Sequence, residues 1–488
     1  MSSKVNHEEL IQRFPALQQI EESIRKHILD VFANAKNGEP NAISRAGCLA
    51  LALKSNEVGR AVGEDKTHVL WNAWRNAFPT KGSNANRVDF SGVRFRKVPL
   101  KPNLSFAAME FGDFANFRAA QFDYYPIFKA AQFGNFATFT AVHFRNGVAF
   151  TAAQFGEHAD FCGAQFGPDA GFAAAQFGRM AKFQATHFER LADFSARTWA
   201  QVGGVYGARL KAVEEWAGNH GLSPETFQKI DFSGTVFSGK ADFSDRKFLG
   251  ETAFGCLTSD YTYEDLKRDE KQIPIVNDAG CHKIEKKRPN QFHVSFGVSP
   301  IFHGCELHQD ISFKDAVFPA ATGNENSANA YRTLKLAFSK QQAIREEHRF
   351  FRLEMEEETL RETGLKRALF RAYRTFSDYG FSITRPLRYW GLGVLVLTVV
   401  YGLLSWLGQC GLSTLACDFT PKWLEFSLLQ TLPLPGLEKL SGNASEAFWP
   451  EGAWWGLGLS VLVILHKTLS LAALFLIGLA LRNLFKLK

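Results

Sequence analysis

Residues 150–188 read FTAAQFGEHADFCGAQFGPDAGFAAAQFGRMAKFQATHF, and phenylalanine returns there at alternating intervals of five and six residues. An α-helix repeats every 3.6 residues and a β-strand every 2, so neither element alone explains this 11-residue unit. A fixed long period is the signature of a repeat architecture. The same spacing runs from Phe106 to Phe194 and resumes at Phe232. We therefore expect a repeat domain in the middle of the chain.

The residue two positions before each phenylalanine is usually small, as at Ala153, Ala159 and Ala164. Residues two apart lie on the same side of an extended chain, so each unit offers one large and one small apolar side chain to a common interior. Rings 22 residues apart should stack in internal columns. The predicted core rings are Phe117, Phe128, Phe139, Phe150, Phe161, Phe172, Phe183 and Phe194.

This pattern resembles the pentapeptide-repeat family in its F-x-x-A-x-F variant. The resemblance covers about half of the chain and implies a right-handed, four-sided β-solenoid. The extra residue in every second unit departs from the strict five-residue form and gives 22 residues per coil. At about 4.8 Å per coil, roughly 170 repeat residues would build about eight coils and a rod roughly 38 Å long.

Positions 22 apart should also form columns on the outside of the coils. Gln132, Gln154 and Gln176 are predicted to form a solvent-facing amide ladder that stiffens the coil edges, and a binding face is the alternative. A bulkier column, here called the outer stripe, consists of Phe114, Phe136, His158 and Met180. Exposed apolar residues in one patch are typical of a contact surface, so the stripe is a candidate site for an unknown protein partner. Packing beneath the N-terminal helices or an inserted loop is the alternative.

The pattern divides the chain into segments of different character, which gives a mixed fold class. Amphipathic helical spacing predicts an N-terminal helical region and a polar helical connector with a break at Gly364. The predicted segments are a helical cap at 1–88, the repeat at 90–318, a helical interruption at about 206–226, a loop at about 257–290, the connector at 326–378 and a membrane domain at 386–488.

The membrane domain contains two long apolar runs. Residues 389–408 carry no charge and are long enough to cross a hydrocarbon core of about 30 Å, and a second run covers about 457–481. Basic residues precede the first run and follow the second, which predicts that both termini are cytoplasmic. A lipid bilayer, expected to be a bacterial inner membrane, is therefore the first predicted partner.

Between the two runs, residues about 422–432 predict a short re-entrant or interfacial helix. The order of span, short helix, sharp turn and span resembles a pore-loop ion channel, although the TVGYG filter sequence of that family is missing. The polar residues that could line such a pore are His466, Lys467, Glu425 and Glu438. An interfacial helix that seals a membrane anchor is the alternative.

The sequence gives no support for an enzyme, a cofactor or a nucleic-acid partner. A net charge of +7 on 488 residues is mild, and none of the nucleotide-binding or nucleophile motifs occurs. Zinc-competent side chains cluster loosely near the second interruption, but their spacing fits no compact zinc module. They are Cys281, His282, His303, Cys305 and His308.

Two functional hypotheses follow. The first is a membrane-anchored cytoplasmic repeat protein that acts as an interaction scaffold or sensor. The second is a homo-oligomeric, channel-like pore with a degenerate filter, gated by the cytoplasmic solenoid. A pore built from two-span subunits needs several copies around an axis, so the oligomeric state separates the two.

Overall fold

The computed structural model describes residues 6–34, 37–63, 66–80, 86–96, 104–196, 225–259, 290–410, 422–431 and 456–485. The chain forms two compact units. The first comprises residues 1–320 and 329–347, and the second comprises residues 321–328 and 348–488. The repeat belongs to the first unit and the apolar helices to the second.

The first unit begins with a group of helices. These are α1 (His7–Arg13), a short 3-10 helix (Pro15–Gln19), α2 (Glu22–Phe32), α3 (Arg45–Val62) and α4 (Val69–Ala77), with the hairpin β1 (Gly38–Glu39) and β2 (Ala42–Ile43) before α3. Ser44 caps α3 by accepting a hydrogen bond from the backbone N–H of Gly47. Trp71 of α4 packs on Phe90 and Phe111 at ring-centroid distances of 6.1 and 5.6 Å. The helices therefore cover the first rings of the repeat core.

The repeat itself forms parallel sheets of very short strands. One sheet contains β3 (Arg94–Phe95), β5 (Gln121–Phe122), β7 (His143–Phe144), β10 (Gln165–Phe166), β14 (His187–Phe188), β18 (Val236–Phe237) and β24 (Ser295–Phe296). A second contains β4 (Glu110–Gly112), β6 (Gln132–Phe133), β9 (Gln154–Phe155), β12 (Gln176–Phe177), β16 (Thr226–Phe227) and β20 (Lys247–Phe248). Two smaller sheets contain β8 (Val148–Ala149), β11 (Asp169–Gly171), β15 (Leu191–Asp193) and β19 (Ala241–Asp242), and β13 (Ala181–Lys182), β17 (Ile230–Asp231) and β21 (Thr252–Ala253).

The register of these ladders follows the 22-residue period. Gln165 pairs with His143 on one side and with His187 on the other. Across the two interruptions the register continues, since His187 pairs with Val236 and Val236 pairs with Ser295. The predicted helical interruption lies almost wholly outside the described residues, as does most of the predicted loop. An antiparallel pair, β22 (Cys256–Ser259) and β23 (Asn290–His293), joins the ends of that loop and was not predicted.

The phenylalanine rings stack in columns between the sheets. Phe172 lies between Phe150 and Phe194, at centroid distances of 5.1 and 4.8 Å. These distances are close to the spacing of neighbouring strands, so each ring rests on the ring one coil away. All eight predicted core rings are fully buried. The predicted ladder of regularly spaced, buried phenylalanines in parallel strands is confirmed.

The glutamine column differs from the expectation. Gln154 and Gln176 are 0% exposed, and Gln132 is half-buried, so the prediction of a solvent-facing ladder is wrong for the first two. Gln154 pairs in register with both other glutamines, which cover it from two sides. Burial also depends on what packs over a strand from distant parts of the chain, and a repeat period carries no information about that.

The described residues of the C-terminal part are mostly helical. Its helices are α5 (Glu325–Lys340), α6 (Ile344–Arg361), α7 (Gly364–Ser377), α8 (Thr384–Cys410), α9 (Lys422–Thr431) and α10 (Gly456–Phe485). Gly364 begins α7 with a φ of +56°, a left-handed value that suits glycine, and a second break separates α5 from α6. Within the first unit, Tyr331 and Phe338 of α5 pack on Phe318 and Phe313 at 5.9 and 6.0 Å. This helix therefore covers the last rings of the columns.

In the second unit, two of the described helices are long and apolar enough to cross a membrane. The apolar stretches are Thr384–Leu407 and Gly458–Phe485. In the most apolar part of each stretch, only 17% is buried. A core helix of a water-soluble domain would be mostly buried. These helices contain the predicted spans at about 389–408 and 457–481.

Candidate functional sites

The outer stripe is a stack of side chains on the surface of the repeat. Phe114 stacks on Phe136 at 5.2 Å with an interplanar angle of 6°, and Phe136 stacks on His158 at 4.9 Å and 3°. Phe136 is 46% exposed and Met180 is 40% exposed, whereas Phe114 and His158 are half-buried. No described helix or loop covers Phe136 or Met180, so the stripe offers an apolar surface.

The backbone of the stripe is unusual for residues of this size. The φ angles of Phe114, Phe136, His158 and Met180 are 58°, 59°, 59° and 61°. A left-handed backbone costs an L-residue about 1–2 kcal/mol, and a bulky residue there is an outlier. Two other columns of left-handed residues in the repeat hold only small side chains. They are Ala108, Ala130, Ala152 and Ala174, and Ala119, Ala141, Gly163 and Ala185.

The coils approach one another closely at the base of the stripe. A Cβ added to Gly156 would lie 2.6 Å from the side-chain oxygen of Asn135 and 2.7 Å from its backbone nitrogen. The Asn135 side chain accepts a hydrogen bond from the backbone N–H of Glu157, and Asp113 accepts one from that of Asn135. These contacts fix the spacing of the stripe along the repeat.

The charges beside the stripe differ between its two ends. Asp113, Glu157 and Asp160 lie next to the part formed by the aromatic rings, and Glu157 is exposed. Arg179 and Lys182 lie next to Met180. The aromatic part of the stripe is therefore flanked by acidic groups.

A second candidate site lies among the apolar helices of the second unit. Leu397, Tyr401 and Phe426 form a buried cluster that joins α8 to α9, and the rings of Tyr401 and Phe426 meet edge to face at 5.2 Å. A Cβ on Gly402 would lie 3.3 Å from the ring of Trp423, so this glycine lets α9 approach α8 closely. The short helix is thus packed into the helix pair.

Polar side chains lie within this apolar packing, and we call them the polar core: Thr398, Ser427, Gln430, Thr431, His466 and Ser470. The hydroxyls of Thr398 and Ser427 are 2.6 Å apart, and the Thr431 hydroxyl is 3.4 Å from His466 Nε2. The Trp390 indole N–H donates to the Ser470 hydroxyl at 3.0 Å. Hydrogen bonds of the polar core therefore connect α8 to both α9 and α10, and α9 to α10.

Some polar atoms in and beside the polar core have no hydrogen-bond partner in the described structure. They are His466 Nδ1, Gln430 Oε1, the Tyr401 hydroxyl and the Ser405 hydroxyl. A buried polar atom left unsatisfied costs about 1–3 kcal/mol, so these atoms are suited to binding water or a polar ligand.

The pairing of residues gives the direction of α9. Trp423 of α9 lies against Gly402 of α8. One turn further along α9, Ser427 contacts Thr398, which lies one turn before Gly402 in α8. The two helices are therefore antiparallel. Thr398 precedes Cys410, the last residue of α8, by about 18 Å along the helix axis.

No family model, curated protein or solved structure matches this chain.

The structure places the predicted polar pore residues in different surroundings. His466 is fully buried, Lys467 is half-buried and Glu425 is exposed on α9. Glu438 lies outside the described part of the chain. Sequence reasoning missed Ser427, Gln430 and Thr431, although their spacing of three and four residues on an apolar helix was a signal that could have found them.

The zinc-competent residues within the described chain do not come together. His303 is exposed, His308 pairs with Asp310 at 3.4 Å, and the Cys305 thiol lies 3.0 Å from the carbonyl oxygen of Phe243. Burial raises the pKa of Cys305 to about 12, which disfavours the thiolate that binds metal. No group of three metal-binding side chains occurs in the described residues, and Cys281 and His282 lie outside them.

Proposed function

We propose that the protein is a membrane-anchored interaction scaffold whose repeat unit binds a partner protein through the outer stripe. The observation that carries this proposal is the left-handed backbone of four bulky surface residues, three of which stack ring on ring. Glycine at these positions would relieve the strain and leave the internal columns intact. Strain that persists at a surface site points to a function that needs those side chains.

For the fold, we infer a right-handed, four-sided β-solenoid of the pentapeptide-repeat type. The parallel ladders with a 22-residue register support this inference, and so does the pairing of one large with one small inward residue. Such a solenoid holds neighbouring coils at a fixed spacing. It would present the stripe as a rigid surface that is already organised for binding.

For the anchor, we infer that α8 and α10 cross the membrane and that both termini are cytoplasmic, in a bacterial inner membrane. Exposed apolar side chains on both helices support the crossing, among them Leu395 at 60% and Phe475 at 68%. Arg385 and Arg388 at the start of α8 and Arg482 near the end of α10 support the orientation, since basic residues favour the cytoplasmic side.

The chemistry of the stripe defines the partner. Stacked aromatic rings favour an apolar or aromatic side chain, and the acids beside them favour a partner with basic residues nearby. Because such charge pairs at the rim are screened by salt, high ionic strength should slow association.

The test compares full-length protein in its native membranes with two variants. Phe136→Asp places a charge in the stripe, whereas Leu249→Asp changes another exposed residue of the repeat, which is 52% exposed. After chemical cross-linking, we expect Phe136→Asp to recover at least about tenfold less of the protein that co-purifies with wild type, as for a binding hot spot. Leu249→Asp should recover the wild-type amount. Equal recovery in all three proteins would refute the proposal.

An oligomeric pore is the second candidate, and the direction of α9 is the observation that favours it. A short helix that runs back between two spans, with Thr431 next to His466, has the layout of a pore helix. The burial of His466 within one copy favours the scaffold, because a pore-lining group faces the axis between copies. Current across planar bilayers, with an ion preference that changes in Lys467→Glu, would support the pore. A monomeric protein that passes no current would favour the scaffold over the pore.

A further inference from the structure

A groove lined by arginine lies where α7 meets α8 in the second unit. It has a volume of about 750 Å³, and the lining side chains that matter here are Arg371, Arg374, Arg385, Arg388, Tyr389 and Leu392. The ring of Phe376 on α7 meets that of Tyr389 on α8 edge to face at 5.0 Å, which holds the two helices together beside the groove. Four guanidinium groups therefore share one concave surface at the start of an apolar helix.

The positive charge of this groove is only partly balanced. Arg374 pairs with Glu356 at 2.8 Å, and Arg385 lies 3.6 Å from Asp378. Arg371 and Arg388 are exposed and form no ion pair with any described residue. Guanidinium groups present paired N–H donors that match the oxygens of a phosphate, so two of them in one groove favour an anion of that kind.

The two helices that form the groove also carry exposed apolar side chains. On α7, Leu365, Leu369 and Phe376 lie on one face and are 76%, 59% and 42% exposed. On α8, Leu392 forms the end of the groove and is 58% exposed. An amphipathic helix of this kind lies in the interface of a bilayer, with its apolar face toward the acyl chains. The groove thus joins a phosphate-binding end to a surface suited to hydrocarbon.

We propose that this groove binds the phosphate of an anionic phospholipid, with the acyl chains against Leu392 and the apolar surface of α8. The site goes beyond the scaffold function. It requires that α8 crosses a membrane, but it is independent of the outer stripe. General attraction of basic residues to anionic lipid would be spread over every lysine and arginine near the membrane, whereas this site depends on the groove.

The experiment measures lipid binding to the full chain in an uncharged detergent, by native mass spectrometry. The probes are phosphatidylglycerol, phosphatidylcholine and glycerol phosphate, which has the phosphate without the chains. We expect wild type to bind phosphatidylglycerol roughly tenfold or more tightly than phosphatidylcholine, whose own cation opposes the arginines. Glycerol phosphate should bind at least about tenfold more weakly than phosphatidylglycerol, because it buries no apolar surface.

Variants separate the groove from general charge. Arg371→Gln with Arg388→Gln should weaken phosphatidylglycerol binding roughly tenfold or more. The control, Lys366→Gln with Lys340→Gln, removes the same charge from α7 and α5 outside the groove, and its affinity should stay within about twofold of wild type. Arg371→Lys with Arg388→Lys keeps the charge but loses the paired donors, so an intermediate affinity is expected.

Three results would overturn the proposal. They are an equal loss in the groove and control variants, equal binding of both phospholipids by wild type, and glycerol phosphate binding as tight as that of phosphatidylglycerol. The last result would assign the groove to a soluble anion. If Arg371→Gln with Arg388→Gln is less thermally stable than the control variant, the variant Arg371→Lys with Arg388→Lys decides. Wild-type affinity of this lysine variant for phosphatidylglycerol would refute recognition by the guanidinium groups.

Discussion

Phe172 and Phe136 show that one residue type occupies two different environments in the repeat. Phe172 is fully buried between two rings of its column, whereas Phe136 is 46% exposed and has a φ of 59°. The sequence separates the two, because Phe136 falls outside the five-and-six spacing that the core rings obey. It does not reveal the left-handed backbone, since that depends on the path of the chain within each six-residue unit.

Truncation of a core ring should destabilise the repeat strongly. Phe172→Ala removes a fully buried ring and leaves a cavity, so we expect a loss of about 3–5 kcal/mol in the free energy of unfolding. Gln165→Ala changes a half-buried residue of β10 and should cost less than about 1 kcal/mol. Denaturant unfolding of the full chain in detergent measures both. Equal losses would show that Phe172 does not support the core.

Replacement of a stripe residue should separate stability from binding. Phe136→Gly relieves the strain of the left-handed backbone but loses the stacking on Phe114 and His158, so we expect a change in stability within about 1 kcal/mol. Partner recovery should fall as it does for Phe136→Asp. A loss of stability as large as that of Phe172→Ala would instead assign the Phe136 ring to the folded core.

Among the elements, the strand ladders are the part that the sequence predicts best. The spacing of phenylalanine reports which residues share a column, and the structure pairs them in that register. Arg246 shows where this information ends. It stands two residues before Phe248, where most units have alanine, and its buried guanidinium lies 4.4 Å from the ring of Phe227 and donates to the carbonyl of Phe194. The repeat pattern shows that Arg246 is an exception, but it does not show which residues Arg246 contacts, because these lie far away in the sequence.

The packing of α9 on α8 should depend on Gly402. Its added Cβ would lie 3.3 Å from the Trp423 ring, so Gly402→Leu should push α9 away and lower the thermal stability of the second unit, by about 1–3 kcal/mol for an overpacked contact. Gly391→Leu is the matched control on the same helix, because a Cβ there meets no atom within 4 Å. Unfolding temperatures of the reconstituted proteins test this, and equal temperatures would argue against a close α8–α9 contact.

At the scale of the whole molecule, the sequence indicated a repeat followed by two apolar segments, because composition and period change sharply along the chain. The partners inside the polar core could not be predicted. Whether Thr398 meets Ser427, and Thr431 meets His466, depends on the direction in which α9 packs between its neighbours. A hydropathy pattern reports that a segment is apolar, but not which of its faces is turned inward.

We propose that the membrane-anchored repeat recruits a partner protein through the outer stripe. The most direct test of this claim places a photoreactive phenylalanine analogue at position 136 of the full chain in cells, with position 249 as the control. We predict a discrete adduct in the membrane fraction from position 136, none from position 249, and a weaker adduct when Glu157→Lys reverses an acid beside the stripe. No adduct, equal adducts from both positions, or an adduct of twice the 54.6 kDa chain mass, which would indicate a second copy, would contradict the claim.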